Sequence, residues 1–310
     1  MRARRYTVAC LAGDGIGPEL MAEASRAVAA VSRLHGFRVD EVHAPFGGAA
    51  VRSFGHPLPA ATRSACREAD AVLIAATREP ALEGVKAELD LTWRVTRVRL
   101  ASEGDVALVN PVVDDSDALA VERAFRLARA RRAKVTSVGA TEEWFAAVRD
   151  ATERHEGVIV EHVPVERVLP VLATDPARFD VIVTQEVFGE ALSNMAAFAH
   201  RDVRMVASGR MSADGTGIFG PTHGSAPEIA GQGVANPMAM LLAASLMLGE
   251  GLGERAAAET LERAVTGAIE DGVRTPDLVQ SGPAATTRQF MDVLLAGLPS
   301  ARRDTEFAHP

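Results

Sequence analysis

Short runs rich in Val and Ile alternate with longer stretches of helical period along most of this chain, and that alternation leaves few architectures open. The runs are Thr7–Ala12, Ala71–Ala76, Val106–Val109, Lys134–Val138, Val158–His162 and Val181–Thr184. Strands covered on both faces read this way, because neither side chain row faces water. Parallel neighbours also need long crossovers, usually helical. The segments Glu19–Leu34, Pro59–Glu68, Ala118–Arg131, Glu142–Arg154 and Ala235–Leu248 supply them, several with Pro or an acid in the first turn. The pattern predicts an α/β fold with a mostly parallel central sheet.

Length and charge narrow the functional classes. The 310 residues suffice for two ordinary domains, and 47% hydrophobic with 24% charged residues is the balance of a well-packed globule. The net charge of -8 is spread along the chain, which argues against a polyanion binder, so nucleic acid is not an expected partner. Arg123, Arg126, Arg129, Arg131 and Arg132 have Ala, Leu and Phe between them at helical spacing and read as a solvated helix face. Cys10 and Cys66 are too few for a disulfide framework or a cysteine metal site. The first apolar run stops at Gly13-Asp14, short of a signal-peptide core. No run approaches the roughly 18 apolar residues of a membrane span. A cytoplasmic location without membrane contact is the expectation.

Two glycine-rich segments carry the chemistry. Gly13-Asp-Gly-Ile-Gly-Pro-Glu19 follows a predicted strand and opens a helix, where glycine permits a sharp turn and the helix start favours an anion. Taken alone it reads equally well as a tight turn with no ligand, and its spacing is not the Rossmann fingerprint. Gly220 to Pro237 is far more specific: a long loop carrying His223, Ser225, Glu228 and Asn236 ahead of a helix. Loops of more than about 12 residues inside compact domains are usually functional.

The second segment, His223-Gly-Ser-Ala-Pro-Glu-Ile-Ala-Gly-Gln-Gly-Val-Ala-Asn-Pro237, resembles the adenosine loop of the β-decarboxylating dehydrogenases, the isopropylmalate and isocitrate dehydrogenases. Gly13–Glu19, Gly47-Gly-Ala-Ala, Pro57-Leu-Pro, Glu88-Leu-Asp-Leu, Val135-Thr-Ser-Val, Phe179-Asp-Val-Ile-Val-Thr, Phe188-Gly-Glu-Ala-Leu-Ser-Asn and Thr275-Pro-Asp-Leu continue the likeness in family order. The resemblance implies the family's two-domain fold, with 1–96 and 201–310 on the nucleotide side and 97–200 inserted as the dimer-forming domain. It implies a homodimer that acts on a small-molecule substrate. It also implies that Gly13, Gly15, Ile16, His223, Gly224, Ser225, Ala226, Glu228 and Asn236 bind the cofactor. NAD is expected rather than NADP, since Glu228 would accept a ribose hydroxyl and repel a 2′-phosphate.

The substrate half departs from the family pattern. Its three metal-binding aspartates correspond to Glu166, Glu190 and Asn194, oxygen donors that still suit Mg²⁺ or Mn²⁺, with Glu166 reaching the partner's site. The family's lysine falls at Ala140 and one substrate arginine at Asn110. The loop bearing the family tyrosine is shortened around Val112-Val-Asp-Asp115, and the chain's single tyrosine is Tyr6, near the other end. The Glu before the adenosine loop is Gly220. The family Leu-Arg-Pro falls near Val95-Thr96-Arg97, so Arg97 is the expected arginine there, with Arg94 and Arg99 as basic neighbours. Glu142, Asn110 and Arg97 are the expected catalytic residues, with Asp114 also in the remodelled pocket. Two readings follow: an oxidoreductase on a hydroxy acid other than isopropylmalate or isocitrate, or an inactive NAD-binding family member with a regulatory or structural role.

Overall fold

In the computed structural model the described residues are 4–76, 81–100, 104–113, 116–199, 205–279 and 281–299. Ten strands form one sheet: β1 (Arg4–Gly13), β2 (Phe37–His43), β3 (Ala71–Ala76), β4 (Trp93–Leu100), β5 (Gly104–Pro111), β6 (Lys134–Val138), β7 (Ile159–His162), β8 (Val181–Thr184), β9 (Val206–Met211) and β10 (Gly217–Pro221). Their order is β2-β1-β3-β10-β9-β4-β5-β8-β6-β7. The three central pairings, β10–β9, β9–β4 and β4–β5, are antiparallel, and the pairings on either side are parallel. An α/β fold with a mostly parallel sheet is what the alternating pattern predicted. The expected division at 96/97 falls inside β4, and the sheet runs on across it.

Eleven α-helices are described: α1 (Gly17–Leu34), α2 (Gly47–Phe54), α3 (Ala60–Glu68), α4 (Ala81–Lys86), α5 (Asp117–Arg129), α6 (Glu142–Arg154), α7 (Val165–Thr174), α8 (Glu186–Ala199), α9 (Met238–Leu246), α10 (Arg255–Glu270) and α11 (Thr287–Ala296). The strands β3, β6 and β8 and the helix α6 keep the bounds read from the sequence. The edge strand β2 and the charged β4, β9 and glycine-rich β10 were not legible as strands. Each carries polar or glycine residues on the face toward solvent or a cleft.

The core beside β9 and β10 is built on α9, whose nine residues are all buried. Such a helix is apolar all round because every face meets protein. It packs on β9, β10 and α10. Phe219 of β10 is fully buried beside it, between Gly209, Gly217 and Gly251. A Cβ on Gly209 or Gly251 would lie 2.8 Å from that ring, so the aromatic volume takes the place of three side chains. Replacing Phe219 by Ala should leave a cavity the glycines cannot fill and cost about 3–5 kcal/mol in denaturant unfolding.

Candidate active site

From β1 the chain crosses to β2 on one side and to β3 on the other, so the loop after β1 lies at a switch point, where open α/β sheets bind ligands. Gly13 and Gly15 take left-handed backbone, φ +72° and +57°. A Cβ on Gly13 would lie 1.6 Å from the Ala76 carbonyl oxygen, and one on Gly15 would lie 1.8 Å from that of Ser225. Main chain therefore meets main chain: the Asp14 N–H donates to Ala76 and the Ile16 N–H to Ser225, each at 2.9 Å. Asp14 Oδ1 accepts from the Gly48 N–H at 2.8 Å and ties this loop to the start of α2.

The long loop after β10 closes the other side. Ala226 is held left-handed at φ +36°. Asn236 Oδ1 accepts from the Met238 N–H at the start of α9, while its Nδ2 donates to Asp277 Oδ2, both at 3.0 Å. Ile16, His223, Gly224, Ser225, Ala226, Glu228, Asn236 and Asp277 line one cleft of about 600 Å³. Burial lowers the His223 pKa from its ordinary value, so the ring is neutral at pH 7, and its Nε2 is buried without a partner. An exposed carboxylate at Glu228, an orphaned ring nitrogen and a glycine-lined approach fit the adenosine half of a dinucleotide.

His223 and Gly224 also line a second cleft of about 400 Å³, so the two adjoin. Its walls are the end of β3, Arg94 and Thr96 from β4, Ser208 and Arg210 from β9, Lys86 from α4, and Glu190, Ser193 and Asn194 from α8. Arg94 and Arg210 stand opposite one another in the β4–β9 register. Arg94 Nε donates to Asn110 Oδ1 at 3.1 Å, and Asn110 Nδ2 to the Pro111 carbonyl at 2.6 Å. A Cβ on Gly189 would lie 2.7 Å from Asn110 Cγ, so glycine there makes room for the amide. Glu190 and Asn194, four apart on α8, offer hard oxygen donors at the same cleft, a chemistry that fits Mg²⁺ or Mn²⁺ with water completing the shell.

The sequence pattern described as isocitrate/isopropylmalate dehydrogenase matches residues 7–99 and 103–294. The chain belongs to that family. A 3-isopropylmalate dehydrogenase of Synechococcus sp. is 34% identical, over 90% of this chain and 95% of its own. A β-decarboxylating dehydrogenase of Thermococcus kodakarensis in its apo form superposes with a TM-score of 0.82 at 26% identity, covering 94% of this chain and 95% of that one. The isocitrate dehydrogenase of Methylococcus capsulatus gives 0.77 at 27% identity, over 94% and 98%. Oxidoreductase chemistry on a small molecule is the family's trade, and no helix among the described residues is long and apolar enough to cross a membrane.

Within this isocitrate/isopropylmalate dehydrogenase fold, the nine residues expected at the cofactor come together, except that Gly13 and Gly15 act by backbone approach and do not line the cleft. Glu190 and Asn194 also reach the second cleft, and Asn110 lines a further hollow shared with Arg94, Glu190 and Arg210. Glu142 does not: it is exposed at the start of α6, where Thr141 caps the helix by accepting from the Trp144 N–H. Ala140 is exposed on the same loop, which is fixed from below because a Cβ on Gly139 would collide with the Trp144 indole. Glu166 is exposed at the start of α7 and lines none of these clefts. Tyr6 donates to Glu254 at 2.8 Å, away from the site. Asp114 and the Arg99 side chain lie outside the described residues. Sequence reasoning missed Arg210 and Asp277. Arg210 was findable as the polar member of an alternating run, Ser208-Gly-Arg210, had β9 been read as a strand.

Arg97 requires correction. Successive strand residues face opposite ways, so Arg94 and Thr96 point to the cleft while Arg97 points to the other side of the sheet. There it pairs with Asp105 and Glu262, and Arg131 bridges Asp105 at 2.9 Å and Asp180 at 2.8 Å. Burial alone would raise the Asp105 carboxyl, but Arg97 and Arg131 outweigh it and hold it well below the ordinary carboxylate range. Arg97→Gln strands these carboxylates and should cost about 3–5 kcal/mol of stability at pH 7. A depressed carboxyl stabilises fully above its unfolded value of about 3.9 and loses this as pH falls through the folded value. The deficit of Arg97→Gln against the parent should therefore shrink below about pH 4, as urea unfolding at several pH values would record.

Proposed function

We propose that the protein is an NAD-dependent oxidoreductase acting on a hydroxy acid other than isopropylmalate or isocitrate, as a homodimer. The observation that carries this reading is the junction of the two clefts at His223 and Gly224. A dinucleotide seated by its adenosine end against Glu228 and Asn236 would extend past that junction toward Arg94, Glu190 and Asn194. Bound NAD supplies a hydride acceptor, and a divalent ion on Glu190 and Asn194 supplies a Lewis acid. Glu228 sets the nucleotide by charge. Glu166, exposed at the start of α7, completes the metal shell of a second copy, with 97–200 carrying the contact and 1–96 with 201–310 carrying the nucleotide. Cytoplasmic location follows from the same reading.

The substitutions at Ala140 and Asn110 support a changed substrate. Ala140 has no titratable group for proton transfer, and Asn110 holds Arg94 where the family places an arginine of its own. Each missing general acid or base typically costs 10²–10⁴-fold, so a reaction designed around the lysine and tyrosine should be slower by on the order of 10⁴-fold or more. The test is NADH absorbance with Mn²⁺ across a panel of 2-hydroxy acids, beside isopropylmalate and isocitrate. Turnover of a panel member, with those two giving only traces, is the expected result; isopropylmalate turnover at an ordinary 1–10³ per second overturns the substrate assignment. Silence across the whole panel leaves the inactive, NAD-binding reading in its place. Calorimetry should find NAD bound and NADP far weaker, with Glu228→Gln narrowing the difference.

A further inference from the structure

We propose that Arg94 and Arg210 form a two-strand guanidinium clamp that holds a single carboxylate of the ligand, and that the cleft without its metal therefore prefers monocarboxylates; this rests on reading that cleft as the substrate site. The two residues are directly opposed on neighbouring antiparallel strands, at a spacing where like charges repel. Other arginines in this fold avoid that cost by pairing. Arg97 and Arg131 each hold two carboxylates. Neither Arg94 nor Arg210 is within ion-pair distance of a carboxylate among the described residues, although both are partly buried. Burial, and then the neighbouring Arg210 charge, pull Arg94 below the ordinary arginine value, while Glu190 and Glu186 on α8 oppose this only through space.

The orientation is also prepared. Asn110 takes the Nε hydrogen of Arg94 at 3.1 Å, and among the described residues no partner takes its two terminal nitrogens. A guanidinium binds a carboxylate through paired N–H donors. Arg210 makes no hydrogen bond within the described residues and lines the same two hollows as Arg94 and Glu190. Ser193 Oγ, buried without a partner in the adjoining wall, offers a further donor. With the Glu190 carboxylate at the same cleft, the two guanidiniums leave one net positive charge, which a single ligand carboxylate balances. While no metal sits on Glu190, a second carboxylate would meet that side chain, because the other lysine or arginine of the lining, Lys86, is paired with Glu83.

The probe is 2-hydroxyisobutyrate, a monocarboxylate whose hydroxyl-bearing carbon has no hydrogen to give up, compared by calorimetry with malonate and inorganic phosphate on the whole protein freed of divalent metal. The monocarboxylate should bind more tightly than either competitor. Arg94→Gln and Arg210→Gln should each weaken it by about 10–100-fold, as expected for a lost charge-assisted hydrogen bond, while the exposed Arg149→Gln on α6 changes nothing. Glu190→Gln should raise malonate affinity, an effect no purely structural role of the arginines would give. Should Arg94→Gln not fold, Arg210→Gln carries the test, with Arg210→Lys expected to restore part of the binding. Unchanged affinity in a folded arginine variant overturns the clamp; preference for phosphate overturns the carboxylate; preference for malonate overturns the single charge. Loss of binding in the variants with no NADH from any hydroxy acid would sustain the clamp and remove the oxidoreductase reading, so the two fail separately.

Discussion

Everything at the site depends on one close contact, the Ile16 N–H donating to the Ser225 carbonyl across two glycine-rich loops. The loops come from opposite ends of the chain, and they can touch only because Gly15 has no Cβ to place 1.8 Å from that carbonyl. Once joined, they set the angle between the start of α1 and the stretch that leads to α9. Asn236 then fixes the α9 start with one end of its amide and Asp277 with the other. Three segments far apart in sequence thus make one wall, joined by a main-chain contact at Ile16 and Ser225 and by the Asn236 side-chain amide. A ligand there meets a surface already formed, so little ordering entropy remains to oppose its binding.

The central antiparallel ribbon divides the charge. In β4, Arg94 and Arg97 are three apart and fall on opposite faces. On one face the guanidinium is held by two carboxylates, Asp105 and Glu262, and acts as a buried strut between β4, β5 and α10. On the other it stands beside a second guanidinium over an open cleft. A single strand therefore carries a structural arginine and a ligand-facing one, and alternation alone decides which is which. The ribbon also keeps both parallel wings in one sheet, so the two faces cannot be rearranged independently.

Fold class was legible because it rests on local rules. Apolar runs such as Ala71–Ala76 and Val181–Thr184 have all residues buried, and their bounds came straight from composition. The strand β4 was not legible, since its Arg94, Thr96 and Arg97 face a cleft and a buried ion cluster rather than hydrocarbon. The expectation for Arg97 rests on its place near the family Leu-Arg-Pro, and alternation along β4 turns its side chain away from the cleft that Arg94 lines. Glu142 failed for a different reason. Its place beside the family's lysine position was right in sequence, but the Thr141 cap fixes the turn so that the side chain stays in solvent.

Agreement with the family pattern in the nucleotide half has two physical causes, and they separate residue by residue. Gly13, Gly15 and Gly17 are held by sterics, since a Cβ at any of them would lie within 2 Å of a main-chain oxygen whether or not a nucleotide binds. Their presence is a statement about folding. Gly224 has open space where its Cβ would stand, Glu228 is exposed, and the His223 Nε2 has no protein partner. Nothing in the fold requires these three, and an unpartnered buried nitrogen is a cost that folding alone would remove. The substrate half offers the contrast: Ala140, Glu142, Glu166, Glu190 and Asn194 are all exposed, so side chains there can change at small cost to stability. An adenosine loop with residues the fold does not need, beside a cleft whose rim is free to vary, is what a retained cofactor and a changed substrate would produce.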